Sequence, residues 1–359
     1  MKKFASFALA LSLFAMTLAG CGGASSSAAP AASGAAPEAA SSAAPAGKTY
    51  EIKIATVGNE DHQSTVGATF FKEKVEELSN GQFKVNIFPN GALGGEREAA
   101  EGVKLGTIQM TIVTTDGTLP AWVPEVQVLS IPYLFANKEE AYDVLDNMLQ
   151  DKFAPLFEAQ GFKHLGFTEL GFRHFTNNVR EVKSAADMKG LSIRVQEAPI
   201  WFALTDALGA TATPVPFNEL YTALQQGMVD GQENPVTSIA TSRFNEVQKY
   251  MTLDGHTYGA ESIIMNLDLY NGMTAEQQAW VDEAAAYARD TQRAAVDAVE
   301  AEYLQQIKDG GTIVCEDPDI QSFKDATADM YKLPEVAELV DPSLTEAVMA
   351  KVAEFNANK

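Results

Sequence analysis

The sequence predicts an α/β fold in two lobes, on three observations. Segments with a period of two alternate with segments of helical period, the pattern of strands joined by helical crossovers. The alternation restarts near Arg173, and 359 residues are enough chain for about two domains. Residues 274–308 are helix-compatible throughout, open with a Thr274-x-x-Gln277 capping box and stop at Gly310-Gly311. At 1.5 Å per residue that helix would be about 50 Å long, so it is expected to connect the lobes and not to lie inside one core.

The N-terminus reads Met1-Lys2-Lys3, then an apolar run to Leu18, then Ala19-Gly20-Cys21. A charged start, an apolar run and small residues before a cleavage point mark residues 1–20 as an export signal. The run is short for a membrane span, which needs about 20 apolar residues. Residues 22–48 contain only Gly, Ala, Ser, Pro, one Glu and one Lys. Nothing there can build a core, so the segment is expected to act as a tether with an r.m.s. reach of roughly 30 Å.

The folded body is expected from Thr49. Tyr50, Ile52 and Ile54 alternate with Glu51 and Lys53, and Phe83, Val85 and Ile87 with Lys84 and Asn86, giving two strands. Between them Val66, Phe70, Phe71, Val75 and Leu78 recur at helical spacing, ending at Asn80-Gly81. A short helix from Glu96 to Leu105 and a buried strand at Met110-Thr111-Ile112-Val113 follow. In the second run, Leu191, Ile193 and Val195 mark a strand, and residues 218–226 a helix with Asn218 as N-cap and Gly227 just past its end. The expected lobes are residues 49–171 plus 260–299, and 172–259 plus 300–359.

Composition narrows the function. With 26 Lys and Arg against 48 Asp and Glu the formal charge is −22, so a nucleic-acid backbone or an anionic membrane surface would be repelled. A small anion remains possible, because its affinity is set by a few cations inside a closed pocket. Two cysteines, Cys21 and Cys315, cannot make a disulfide framework. The four histidines, His62, His164, His174 and His256, form no metal-binding pair, so neither a metal nor another cofactor is expected. There is no GxSxG elbow and no Walker loop. Neighbouring acids such as Glu139-Glu140 diverge by about 100° on a helix, which suits acid/base work poorly, and no enzyme is expected.

Three constellations carry binding chemistry. Arg194 projects from the face opposite Leu191, Ile193 and Val195, near the strand's C-terminal end, where open α/β sheets gather ligands. Its guanidinium suits a carboxylate, although an arginine on a strand, taken alone, is more often a solvated or salt-bridged surface group. Phe217 and Asn234, in turn-rich segments around one helix, could line a pocket; they serve equally as a core residue and an Asx-turn residue before Pro235. Arg173-His174, near the start of the second lobe, supplies another cation, with a structural hydrogen bond at a lobe crossing as the alternative.

Taken together these segments resemble the substrate-binding proteins, DctP-like, of tripartite ATP-independent periplasmic (TRAP) transporters. Phe88-Pro89-x-Gly91-x-Leu93-Gly94-x-Glu96-Arg97 with Gly106-Thr107-Ile108-Gln109-Met110 is similar to the family's first-lobe signature. Residues 184–195, ending Ile193-Arg194-Val195, resemble the stretch that bears its carboxylate-binding arginine, and Asp230-Gly231-Gln232-Glu233-Asn234-Pro235 its second-lobe signature. The resemblance implies a two-lobed periplasmic-binding-protein-like fold with a ligand cleft between the lobes, closing on an organic acid for a sodium-driven transporter. Arg194 would clamp the carboxylate, Arg173 reinforce it, Asn234 hydrogen-bond it and Phe217 line the wall. Glu96, Thr114, Asp116, Glu60 and His62 would meet the ligand's distal end. Those acids lean the expectation towards a sugar acid such as a hexuronate, with a C4-dicarboxylate or keto acid next. Leu18-Ala19-Gly20-Cys21 resembles a lipobox, which implies a diacylated Cys21 at the outer face of the cytoplasmic membrane. A monomer is expected. A sensory binding protein or a receptor of the ATP-driven class is the alternative.

Overall fold

The computed structural model describes residues 48–359. The export signal, Cys21 and all of the tether but Lys48 lie outside the described residues.

Ten strands build the sheet: β1 Tyr50–Ala55, β2 Phe83–Phe88, β3 Met110–Thr114, β4 Phe162–Asn177, β5 Ser192–Val195, β6 Thr211–Pro214, β7 Gly231–Pro235, β8 Tyr250–Thr252, β9 Tyr258–Asn266 and β10 Ile313–Cys315. Their order is β2-β1-β3-β9-β4-β7-β5-β6, with β8 on β4 and β10 on β8. One half, β2-β1-β3, is parallel, and so is the β7-β5-β6 half. The antiparallel strands β4 and β9 lie between them.

Strand β4 passes from one half to the other. Phe162–Phe172 pair with β9, whereas Arg173–Asn177 pair with β7. Two bulges interrupt its β9 pairing, between His164 and Gly166 and between Glu169 and Gly171, and Gly171 takes φ +116°. A side chain there would be strained, so glycine lets the strand bend where it changes partners.

The helix Ala275–Asp309 begins at the expected capping box, with Thr274 and Gln277 bonding reciprocally. Its Val281, Ala284, Ala285 and Ala288 pack with β1, β2 and β3 residues, and its Ile307 packs with Leu220, Leu224 and Met251 of the other half. Midway, Gln292 accepts from Glu169 N–H at 2.9 Å and donates to Glu169 C=O at 2.6 Å. The helix is therefore fastened to β4 at the bulge. The last helix, Pro342–Ala357, packs on Lys138–Val144, with Asn356 donating to Glu140 at 2.9 Å.

The first helix, Gln63–Leu78, ends as expected, with Asn80 and Gly81 at φ 47° and 80°. The helix placed at 218–226 differs at its start: it runs Phe217–Gln225 with Pro216 at the cap. Asn218 is thus in the first turn, and its side chain packs against Gly91 and Gly95 of the β2–Glu96 loop. Its cap role is displaced because Pro216 has already set the extended backbone that an N-cap needs.

Candidate ligand-binding site

The site lies where the end of β5, the turn after β1, the end of β3 and the middle of β7 meet. Arg194 reaches in from β5 with 3% of its surface exposed. Its Nε donates to Val215 C=O at 2.8 Å, and among the described residues no carboxylate stands within ion-pair distance of it. Burial pulls its pKa down to about 10, against the opposing pull of Glu233. It therefore stays charged at neutral pH, with the fork of its guanidinium unmatched by the protein.

Arg173 differs. It is fully buried on β4, its Nε is bonded to Glu233 Oε2, and its Nη2 donates to Glu233 Oε1 and C=O, each at 2.8 Å, and to Asn234 Oδ1 at 3.1 Å. Only Nη1 is buried without a partner. Behind this pair His256 Nδ1 meets Asp254 at 2.7 Å, and Nε2 faces Glu233 at 3.4 Å. Burial alone would lower the His256 pKa, but Asp254 and Glu233 raise it to about 9. Burial likewise opposes ionisation of Glu233, and Arg173 overrides it, holding the carboxyl below its ordinary value. Arg173 is thus neutralised inside the protein, and it orients Asn234. The Asn234 amide also donates to Gln232 Oε1 at 2.6 Å, which leaves one Nδ2 hydrogen spare.

From the other side comes His62, the N-cap of the first helix. Its Nδ1 accepts from Ser64 N–H at 3.3 Å and pairs with Ser64 Oγ at 2.8 Å. Burial lowers its pKa to about 4, so the ring is neutral. With Nδ1 accepting, the ring proton sits on Nε2, which is buried and has no partner. The ring meets Phe217 edge-on at 5.3 Å. Glu96, first residue of the helix Glu96–Lys104, accepts from Thr114 N–H and Oγ1 at 3.1 Å each and from Thr118 Oγ1 at 2.5 Å. Three donors fix this carboxylate at the rim.

These side chains enclose a cavity of about 20 Å³ lined by Val57, His62, Glu96, Thr114, Leu170, Arg194, Gln196, Phe217 and Asn234. A second of about 30 Å³ shares Glu96, Arg194, Gln196 and Phe217 and adds Gly95, Arg97, Glu98, Gly117, Thr118, Glu197 and Pro216. Larger grooves of about 560 and 660 Å³ lie elsewhere. Neither offers a buried cation without a counter-charge: the second contains Lys138, which holds Glu169, Asp297 and Glu300 within 2.8 Å.

Of the residues expected at the ligand, the structure brings Arg194, Asn234, Phe217, Glu96, Thr114 and His62 to one cavity. Arg173 stands behind Asn234. Asp116 lines neither cavity: it lies fully buried in the turn Thr115–Thr118 and accepts from Ser130 Oγ at 2.6 Å. Burial pushes its pKa up to about 6. Glu60 is exposed in the turn after β1 and also lines neither. Both corrections have one cause: a residue's place in a loop fixes its neighbourhood, whereas hydrogen bonds and solvation decide where a carboxylate points. Sequence reasoning missed Gln196, Glu233 and His256. Gln196 was recoverable, since Arg194-x-Gln196 continues the period that sets side chains on one face of a strand.

A family model described as bacterial extracellular solute-binding protein, family 7, named DctP, matches residues 54–337. A solute-binding protein of Verminephrobacter eiseniae is 41% identical over 286 residues, 79% of this chain and 84% of that one. Among solved structures, a TRAP periplasmic solute-binding protein of a Polaromonas species, bound to D-erythronate, is 36% identical with a TM-score of 0.81, covering 84% of this chain and 99% of that one. Another, from Sulfurospirillum deleyianum with bound succinate, is 29% identical with a TM-score of 0.78, over 84% and 99%. The matched span runs from the end of β1 through the helix Pro334–Ala337, and every site residue named above falls inside it. The chain belongs to family 7 of the bacterial extracellular solute-binding proteins, the DctP family of TRAP periplasmic binding proteins, which are two-lobed transport proteins and not enzymes.

Proposed function

We propose that the chain captures an organic acid by its carboxylate at Arg194 and delivers it to the membrane subunits of a sodium-coupled TRAP transporter. The observation that carries this is the buried guanidinium without a protein counter-charge. A carboxylate on the fork would supply two charge-assisted hydrogen bonds, each worth about 1.5–3 kcal/mol where water is excluded. Asn234 would hold the same carboxylate through its spare N–H, and Phe217 would cover it. Open lobes would leave the pair hydrated; closure removes water and strengthens it, so binding favours the closed form. The lobes are taken as residues 49–171 plus 260–299 and 172–259 plus 300–359, hinged at the bulge of β4.

The ligand is a hydroxylated monoacid, a sugar acid such as a hexuronate, ahead of a C4-dicarboxylate or keto acid. Relatives hold D-erythronate in one case and succinate in another. Charge counting favours the first, because Glu233 already neutralises Arg173, the charged group beside Arg194 in the smaller cavity is the Glu96 carboxylate, and the adjoining cavity adds two acids, Glu98 and Glu197, against one cation, Arg97. A second ligand carboxylate would be repelled there, whereas hydroxyls could donate to Glu96. Cys21 is proposed to carry two acyl chains, holding a monomeric body at the outer face of the cytoplasmic membrane on its tether. Calorimetric titration with D-galacturonate, D-erythronate, succinate and D-galactose tests the reading. Binding of acids but not of the neutral sugar is expected, and binding of the sugar alone would overturn it.

A further inference from the structure

The donors of the cavity are not all accounted for by a carboxylate. Gln196 is 6% exposed, lines both small cavities, and its amide Nε2 is buried without a partner. His62 Nε2 is in the same condition, and His62 lines the smaller cavity with Gln196. Both are neutral, and the His62 proton is fixed on Nε2 because Nδ1 is engaged as the cap of the first helix. Buried donors of this kind each cost free energy unless an acceptor meets them. With Arg194 they border a cavity of about 20 Å³, close to the space of one water-sized group.

We infer that Gln196 and His62 together read one oxygen of the ligand, the hydroxyl or keto oxygen on the carbon next to its carboxylate. The inference rests on the proposed carboxylate clamp at Arg194 and adds the selection of 2-oxygenated acids. The confined volume supplies the position. If the carboxylate occupies the Arg194 fork, the next oxygen within reach of both donors is the one on the adjacent carbon. The two donors come from different parts of the chain, His62 after β1 and Gln196 after β5, so an oxygen shared between them ties recognition to closure. Gly117 completes the arrangement. A Cβ at position 117 would stand 1.9 Å from Gln196 Oε1 and 2.5 Å from Cδ, so glycine there is what lets the amide enter. A site that holds a ligand oxygen with dedicated donors rejects the analogue without it, since the donors are then left buried and unmatched.

The test is calorimetry of the full chain against two pairs of acids that differ only at that carbon, D-gluconate with 2-deoxy-D-gluconate and glycerate with 3-hydroxypropionate. At least one 2-hydroxy acid is expected to bind the wild type ten times or more tightly than its partner. Gln196→Leu should narrow that gap to within about threefold. Gly117→Ala should do the same by displacing the amide without removing it, and it decides the matter if Gln196→Leu fails to fold. A gap that persists in both variants overturns the inference, as does equal weakening of both members of a pair. Acids that bind the wild type without any gap also overturn it while leaving the clamp intact. If no acid binds the wild type at all, the clamp itself falls and this inference with it.

Discussion

Arg173 and Arg194 are both buried, both on central strands of one sheet half, and both at the ligand cavity or one residue behind it, yet their surroundings are opposite. Around Arg173 every charge has its partner: Glu233 takes the guanidinium, His256 backs Glu233, and Asp254 backs His256. Around Arg194 there is one backbone carbonyl and then the cavity. The difference separates architecture from recognition. A buried cation with its counter-ion in place stabilises a shape, whereas one without it is poised for an anion from outside.

Breaking each arginine should therefore give different phenotypes. Arg173→Ala leaves Glu233 buried and uncompensated, and a loss of about 3–5 kcal/mol in stability by denaturant unfolding is expected. Arg194→Ala removes a buried charge that no protein group matches, so its melting temperature should hold or rise. Its affinity for an acid ligand should fall by about 2–5 kcal/mol, more than about thirtyfold, in calorimetry. Arg194→Lys should not restore binding, because an ammonium cannot reproduce the two-pronged geometry.

The pH dependence sharpens the same contrast. His256 titrates near 9 in the fold against an ordinary 6.5, so its contribution is fully present below pH 6.5 and is lost as pH rises through 9. His62 and His174 titrate near 4, so their contributions are present above pH 6.5 and are lost as pH falls through 4. Thermal melts should decline at both edges, and His256→Gln should flatten the alkaline one. The smallest expected effect is at the rim: Glu96→Gln removes a repulsive charge and should narrow the preference for sugar acids over succinate by about 1 kcal/mol, in the range of one exposed-site charge pair.

Much of this arrangement was legible in the sequence, and the failures have physical reasons. Strands β1, β2 and β3 follow from alternation or a short apolar run, and the long helix from its capping box, because one face of each meets a core. Strand β4 was not legible as a strand; only the restart of the pattern near Arg173 was visible. Its earlier part, from Phe162, carries two bulges that break the period of two. Strand β9 is buried at all nine positions, and its Glu261 and Ser262 are polar, so neither alternation nor an apolar run marks it. In the site, Arg194 and Asn234 were readable as motif residues. The pairing of Arg173 with Glu233 was not, since 60 residues separate them and only the β4–β7 register brings them together.

The most direct test is to titrate the wild type, Arg194→Ala and Arg173→Ala with one acid that binds the wild type, following heat and melting temperature together. Loss of binding with an intact fold in Arg194→Ala, beside a lowered melting temperature in Arg173→Ala, is the expected result. An Arg194→Ala variant that binds the acid as the wild type does would contradict the division of labour between the two arginines.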